Sequence, residues 1–245
     1  MHIELEKWFL DALKISSSGR VVIEAFGTPG VGKSYFSHEL FTRVIENDEH
    51  LIYHSIDQYH KNRLLRIISK FSLILRSCWH RWDLFSVAFR IIFSFGEIKF
   101  LKRIKMIFNL LLIFSVIQLR SEKGDPILLD QGVFQALWSC CYYQQLSIGP
   151  KQIDFLRLLI NQLIECLDIK LLLIVYVSAS KEVIVNGLET RLIKGSSELN
   201  SLKDDLIDKG ICATSNMKNI INEIVDSNPK IKLIEIPRLI KNTDD

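Results

Sequence analysis

The sequence predicts a three-layer α/β fold: a five-stranded parallel sheet with helices on both faces and a helical subdomain inserted after the second strand. Three observations carry this expectation. Short apolar runs rich in β-branched residues occur at 20–26, 51–56, 127–129, 171–177 and 231–236, and helical periodicity fills the gaps between them. Strands separated by helices require crossovers, which make neighbouring strands parallel. About 60 residues between the second and third runs are helical in pattern and poor in glycine, too long a stretch for an ordinary loop.

The elements follow in order. Residues 5–15 place Leu5, Trp8, Phe9, Ala12 and Leu13 at helical spacing, and Ser16-Ser17-Ser18-Gly19 breaks that helix. Arg20–Phe26 (RVVIEAF) reads as a buried strand. Residues 34–46 carry Phe36, Leu40, Phe41 and Val44 on one helical face. The inserted subdomain, 58–123, holds an apolar run of about 12 residues within 104–118, short of the ~20 a bilayer span needs. Packed helices are expected there, with helices resting on a membrane surface as the alternative. Asp125-Pro126 turns the chain into 127–129, and helices are expected at 153–167 and 181–193.

Composition bounds the class. The chain has 245 residues, 48% hydrophobic and 24% charged, enough apolar surface for a single folded domain and against disorder as the main state. Eleven glycines and five prolines exclude collagen-like designs. Five cysteines (Cys78, Cys140, Cys141, Cys166, Cys212) contain no C-x-x-C pair, which argues against a disulfide framework or zinc site and for a reducing, cytoplasmic setting. The first 13 residues alternate acidic and apolar types and do not read as a signal peptide. Net charge is +3, but residues 61–120 contain 12 Lys/Arg against Asp83 and Glu97, so this segment is +10 and the remainder −7.

The chemistry centres on Gly27-Thr28-Pro29-Gly30-Val31-Gly32-Lys33-Ser34, which fits G-x-x-x-x-G-K-[ST] at every position and lies between a predicted strand and a predicted helix. Glycines let successive N–H groups face a phosphate, and the following helix adds positive potential at its N-terminus. The nucleotide contact is expected to span Gly27 to Tyr35. Lys33 can reach the β- and γ-phosphates, and the Ser34 hydroxyl can ligate Mg²⁺. Leu128-Leu129-Asp130 has the apolar-strand-then-Asp form of a second metal-supporting element, so Asp130 joins Ser34 as a metal residue. Gln131 follows it, and a neutral side chain cannot act as the general base of a hydrolytic ATPase.

On these residues the chain resembles the P-loop NTPases, and within them the small-molecule kinases of the nucleoside monophosphate kinase group, including thymidylate kinase. The resemblance covers residues 20–57, 126–132 and 171–197, whereas the basic helical segment has no counterpart. It implies ATP and Mg²⁺ as cofactors. In uridine kinases and zeta-toxin-like kinases an Asp after the second strand acts as base toward the acceptor hydroxyl, which implies that role for Asp57. The family's lid places basic residues over the phosphates, which implies Arg191 and Lys194, just before Gly195-Ser196-Ser197. The thymidylate kinases usually show Asp-Arg where Asp130-Gln131 stands here.

Other residues carry weaker signals. Cys140 and Cys141 are expected to be packing residues. His54 and His60 flank Asp57, with an acceptor-placing role as the lesser alternative to surface or core positions. Trp79, His80, Arg81 and Trp82 are expected to pack between helices, with stacking on a base or sugar as the alternative. The basic segment suggests a small anionic acceptor such as a nucleotide or sugar phosphate, with membrane contact as the second choice and nucleic acid, for which no motif occurs, as the third. Two functions remain open: an ATP-dependent kinase, or a nucleotide-dependent ATPase or switch whose basic lobe docks a partner or membrane. No N-K-x-D or L-S-G-G-Q sequence occurs, which disfavours a GTPase and an ABC-type ATPase.

Overall fold

A computed structural model describes residues 19–46, 52–54, 63–79, 81–96, 98–120, 126–144, 149–193 and 204–237. The expected helix at 5–15 lies outside them. The elements are β1 (Arg20–Phe26), α1 (Lys33–Glu46), β2 (Ile52–His54), α2 (Arg63–Cys78), α3 (Trp82–Ser94), α4 (Phe100–Arg120), β3 (Ile127–Leu129), α5 (Val133–Gln144), α6 (Pro150–Cys166), β4 (Ile169–Ser178), α7 (Lys181–Ile193), α8 (Asp204–Ser227) and β5 (Ile231–Pro237). The strands run in the order β2-β3-β1-β4-β5, and every pairing is parallel.

Side-chain alternation along the central strands builds two cores. Val21, Ile23, Leu128, Leu171, Leu173 and Val175 face α1, where Leu40 and Phe36 cover them. Val22, Phe26, Ile127, Leu129, Leu172 and Ile174 face the other way into a larger core with α3, α4, α5, α6 and α8. Among the described residues, the helices between β2 and β3 contribute to the same core as the sheet. Leu110, Phe114, Val116 and Ile117 of α4 and Leu84, Val87 and Ile91 of α3 are buried in the cluster that holds β1 and β3. The long apolar run in α4 is therefore a core helix, and among the described residues no helix is long and apolar enough to cross a membrane.

Local chemistry explains several boundaries. Pro150 begins α6 after Gly149, with its fixed φ suited to a first turn and its missing N–H no loss there. Of the second strand expected at 51–56, Ile52–His54 is described, and residues 51 and 55–60 lie outside the described set. Helix α8 was not singled out by sequence, yet it is 24 residues long and buries Ile207, Gly210, Ala213, Thr214, Met217, Ile220, Ile221 and Ile224 at helical spacing. Its small and polar members blur the periodicity that a run of large apolar residues would have shown.

Candidate active site

Strands β1 and β3 are neighbours, with Glu24 in register with Leu129, so their carboxyl ends deliver the 27–32 loop and Asp130 side by side. This is the position at which open parallel sheets hold ligands. The loop turns tightly, with Val31 N–H donating to Thr28 O at 3.1 Å, and Phe36 N–H donating to Gly32 O at 3.0 Å opens α1. Gly30 and Gly32 sit at φ 92° and 96°, where a Cβ would be strained.

Lys33 is buried, 6% exposed, and its ammonium donates to Gly27 O at 2.7 Å and Thr28 O at 3.1 Å. The ammonium therefore sits on the loop's own carbonyls. Ser34 Oγ donates to Asp130 Oδ2 at 3.1 Å, across 96 residues of sequence. The two residues that the sequence suggests as metal ligands are thus brought together: a hydroxyl and a buried carboxylate, hard oxygen donors of the kind that could hold Mg²⁺ alongside phosphate and water. Pro29, Lys33, Ser34 and Asp130 line a cavity of about 670 Å³. Val31 is buried, and Tyr35 is 61% exposed beside the loop.

The Thr28 side chain is tied to α5 and α8. Thr214 Oγ1 of α8 donates to Gly210 O at 3.0 Å and accepts from Trp138 Nε1 at 2.8 Å. Its proton being so placed, Thr28 Oγ1 donates to it at 2.8 Å. This buried network ties the loop to α5 and α8. Sequence reasoning missed it, because the threonines stand 186 residues apart and neither lies in a motif with the other.

A second unforeseen support is Gly187 in α7. A Cβ there would lie 2.0 Å from Gly30 O and 3.0 Å from Gly30 C, so the helix backbone rests directly on the loop. Ile184 and Leu188 flank the contact: their atoms are the nearest to a Cβ built at Gly30. A mid-helix glycine costs about 1 kcal/mol relative to alanine, which marks such a residue as one to explain. Gly187→Ala is expected to push α7 off the loop, lowering stability by about 1–3 kcal/mol and nucleotide affinity by roughly tenfold. Thermal melts and a nucleotide titration check both.

The cavity extends from the loop between α4 and α5, where Lys102, Lys105, Met106 and Asn109 face Gln135, Ser139, Tyr142 and Tyr143. Lys102 Nζ lies 3.6 Å from the Tyr143 ring centroid. Sequence analysis placed basic residues in this segment but not the α5 wall.

The remaining sequence candidates divide. Asp57, His60, His80 and Lys194 lie outside the described residues. Arg191 occupies the last turn of α7, whose first half packs on the loop, and His54 ends β2 in register with Leu129. Cys140 and Cys141 are buried, and burial raises both thiols, Cys141 to about 12, so they are packing groups as expected. Trp79 and Trp82 correct the expectation of helix packing: they are 69% and 75% exposed. Arg81 is held instead by Asp83, at 2.7 Å, and by Cys166 O, and this pairing lowers the Asp83 carboxyl to about 2.

No family model and no curated protein matches the sequence. Among solved structures, the chain is similar to a deoxyadenosine kinase from M. mycoides with bound dCTP, at 12% identity over 88% of this chain and 90% of that one, TM-score 0.45. It is similar also to a deoxyadenosine kinase from M. mycoides with bound dATP, at 11% identity over 87% and 90%, TM-score 0.42.

Proposed function

We propose that the protein is an ATP-dependent phosphotransferase that moves the γ-phosphate of ATP·Mg²⁺ to a small anionic acceptor held between α4 and α5. The observation that carries this reading is the continuity of one cavity from Lys33, Ser34 and Asp130 to the α4–α5 walls. Its volume suits a small molecule next to the phosphates. Lys102 and Lys105 supply positive charge for an anionic group, and Tyr142, Tyr143 and Met106 supply an apolar wall for its body.

The chain's own residues would act mainly by position and charge, since phosphoryl transfer asks little covalent chemistry of the protein. The 27–32 loop binds the phosphate tail through its amides, and Lys33 exchanges the Gly27 and Thr28 carbonyls for β- and γ-oxygens. Ser34 and Asp130 would hold Mg²⁺, which when bound would offset negative charge on the phosphates. Asp57, three residues beyond the end of β2, takes the proton of the acceptor hydroxyl, and Arg191 with Lys194 covers the transferring group. Gln131 next to Asp130 offers no base for water.

The test incubates the full chain with γ-labelled ATP and a small-molecule extract. Label on an extract component supports transfer, whereas label released solely as inorganic phosphate overturns it in favour of a hydrolytic switch. Asp57→Ala is expected to retain ATP binding while transfer falls by about 10²-fold or more. Transfer at the wild-type rate would remove Asp57 from the mechanism.

A further inference from the structure

Helix α2 has apolar side chains on two sides. Toward the core, Ile74 is buried, Leu73 packs beside it, and Ser77 Oγ donates to Gln118 Oε1 of α4 at 2.8 Å. Largely opposite stand Leu64, Ile68, Phe71, Leu75 and Trp79, with exposures of 70, 62, 52, 45 and 69%. Steps of four, three, four and four residues align them in one stripe along the helix. Trp82, at the start of α3, is 75% exposed. A continuous apolar stripe ending in exposed tryptophans marks an interaction surface rather than scattered surface residues.

Charge selects the partner. Residues 58–82 contain Lys61, Arg63, Arg66, Lys70, Arg76 and Arg81 and not one acid. Asp83, the next acid in sequence, is engaged with Arg81. A second copy seated on this stripe would bring two acid-free cationic helices together, a like-charge juxtaposition that opposes association. A negatively charged lipid surface complements both properties: acyl chains take the apolar stripe, headgroup phosphates take the cations, and tryptophans favour the boundary.

We propose that the outer face of α2 seats the protein on an anionic membrane surface, the helix lying in the plane of the interface without crossing it. This rests on no assumption about catalysis.

The full chain is sedimented with vesicles of phosphatidylcholine and phosphatidylserine, and with phosphatidylcholine alone. Binding is expected to the anionic vesicles, to fall on the order of tenfold or more without phosphatidylserine, and to weaken as salt rises. Ile68→Gln/Phe71→Gln/Leu75→Gln is expected to lose on the order of tenfold or more in partition, with helix content and nucleotide binding unchanged. Arg76→Glu, which leaves the stripe intact, is expected to lose roughly fivefold or more toward anionic vesicles. Absence of binding, equal binding to neutral vesicles, or wild-type partition of the triple variant overturns the proposal. So does a dimer in free solution that the triple variant converts to monomer, because the stripe would then join copies of the chain.

Discussion

Lys33→Ala is expected to reduce turnover of ATP by on the order of 10²–10³-fold or more, the scale seen when one preorganised group facing developing charge is removed. Lys33 is buried with its ammonium on Gly27 O and Thr28 O, so the folded loop already places a cation in the lining of the cavity. Alanine removes that charge and leaves two carbonyls without their donor. Nucleotide binding provides an independent readout. A ligand at 100 times its dissociation constant stabilises the fold by about 2.7 kcal/mol, which for a chain of this size raises the melting midpoint by roughly 5–11 °C. That shift is expected for the wild type and lost or sharply reduced in Lys33→Ala. A variant that turns over ATP at the wild-type rate would remove this lysine, and with it the proposed phosphate site.

How much of this site was legible follows from the range of each interaction. The 27–34 loop is contiguous in sequence, and its glycines, lysine and serine carry their purpose in their spacing. Asp130 was legible for a related reason: a short apolar strand ending in an aspartate reports both the strand and the carboxylate at its tip. The supports behind these groups were not legible. Gly187 looks like a weak residue within a helix until the fold sets Gly30 O against it. The bond between Thr28 and Thr214 depends on where α8 docks, and no local pattern encodes that. Trp79 and Trp82 fail differently: periodicity shows that a helix has an apolar side, but α2 and α3 each have two, and only tertiary packing decides which is covered. In β1, Glu24 is one polar letter in an apolar strand, and the fold buries it completely.

Glu24→Gln is expected to stabilise the protein at neutral and alkaline pH by about 3 kcal/mol and to be nearly neutral in acid. The carboxyl is fully buried between β1 and the start of α5. Oε1 accepts from Gln135 N–H at 2.8 Å, and Val133 and Phe134 N–H groups also favour its charged form, but Oε2 has no hydrogen-bond partner. Gly132 makes the close approach possible, since a Cβ there would lie 2.3 Å from Oε2. Burial outweighs the helix amides and raises the group from 4.5 to about 7. The sign follows from proton uptake. Between those two values the unfolded chain has released the proton and the folded chain still holds it, so stability falls as pH rises through this window. Below it both states are protonated and no penalty remains; above it the folded protein carries the full cost of a buried, half-satisfied carboxylate. The interval of about 2.5 units at roughly 1.4 kcal/mol each gives the expected difference. Glutamine keeps the acceptor for the α5 amides and the shape beside Gly132 without ever ionising. Urea unfolding of both proteins across the window checks this through the difference between them, which cancels the titration of every other group. A wild-type-minus-variant difference that stays flat from acid to alkaline pH would show that Glu24 ionises in the fold as readily as in the unfolded chain, and that the α5 amides, rather than burial, control this carboxyl.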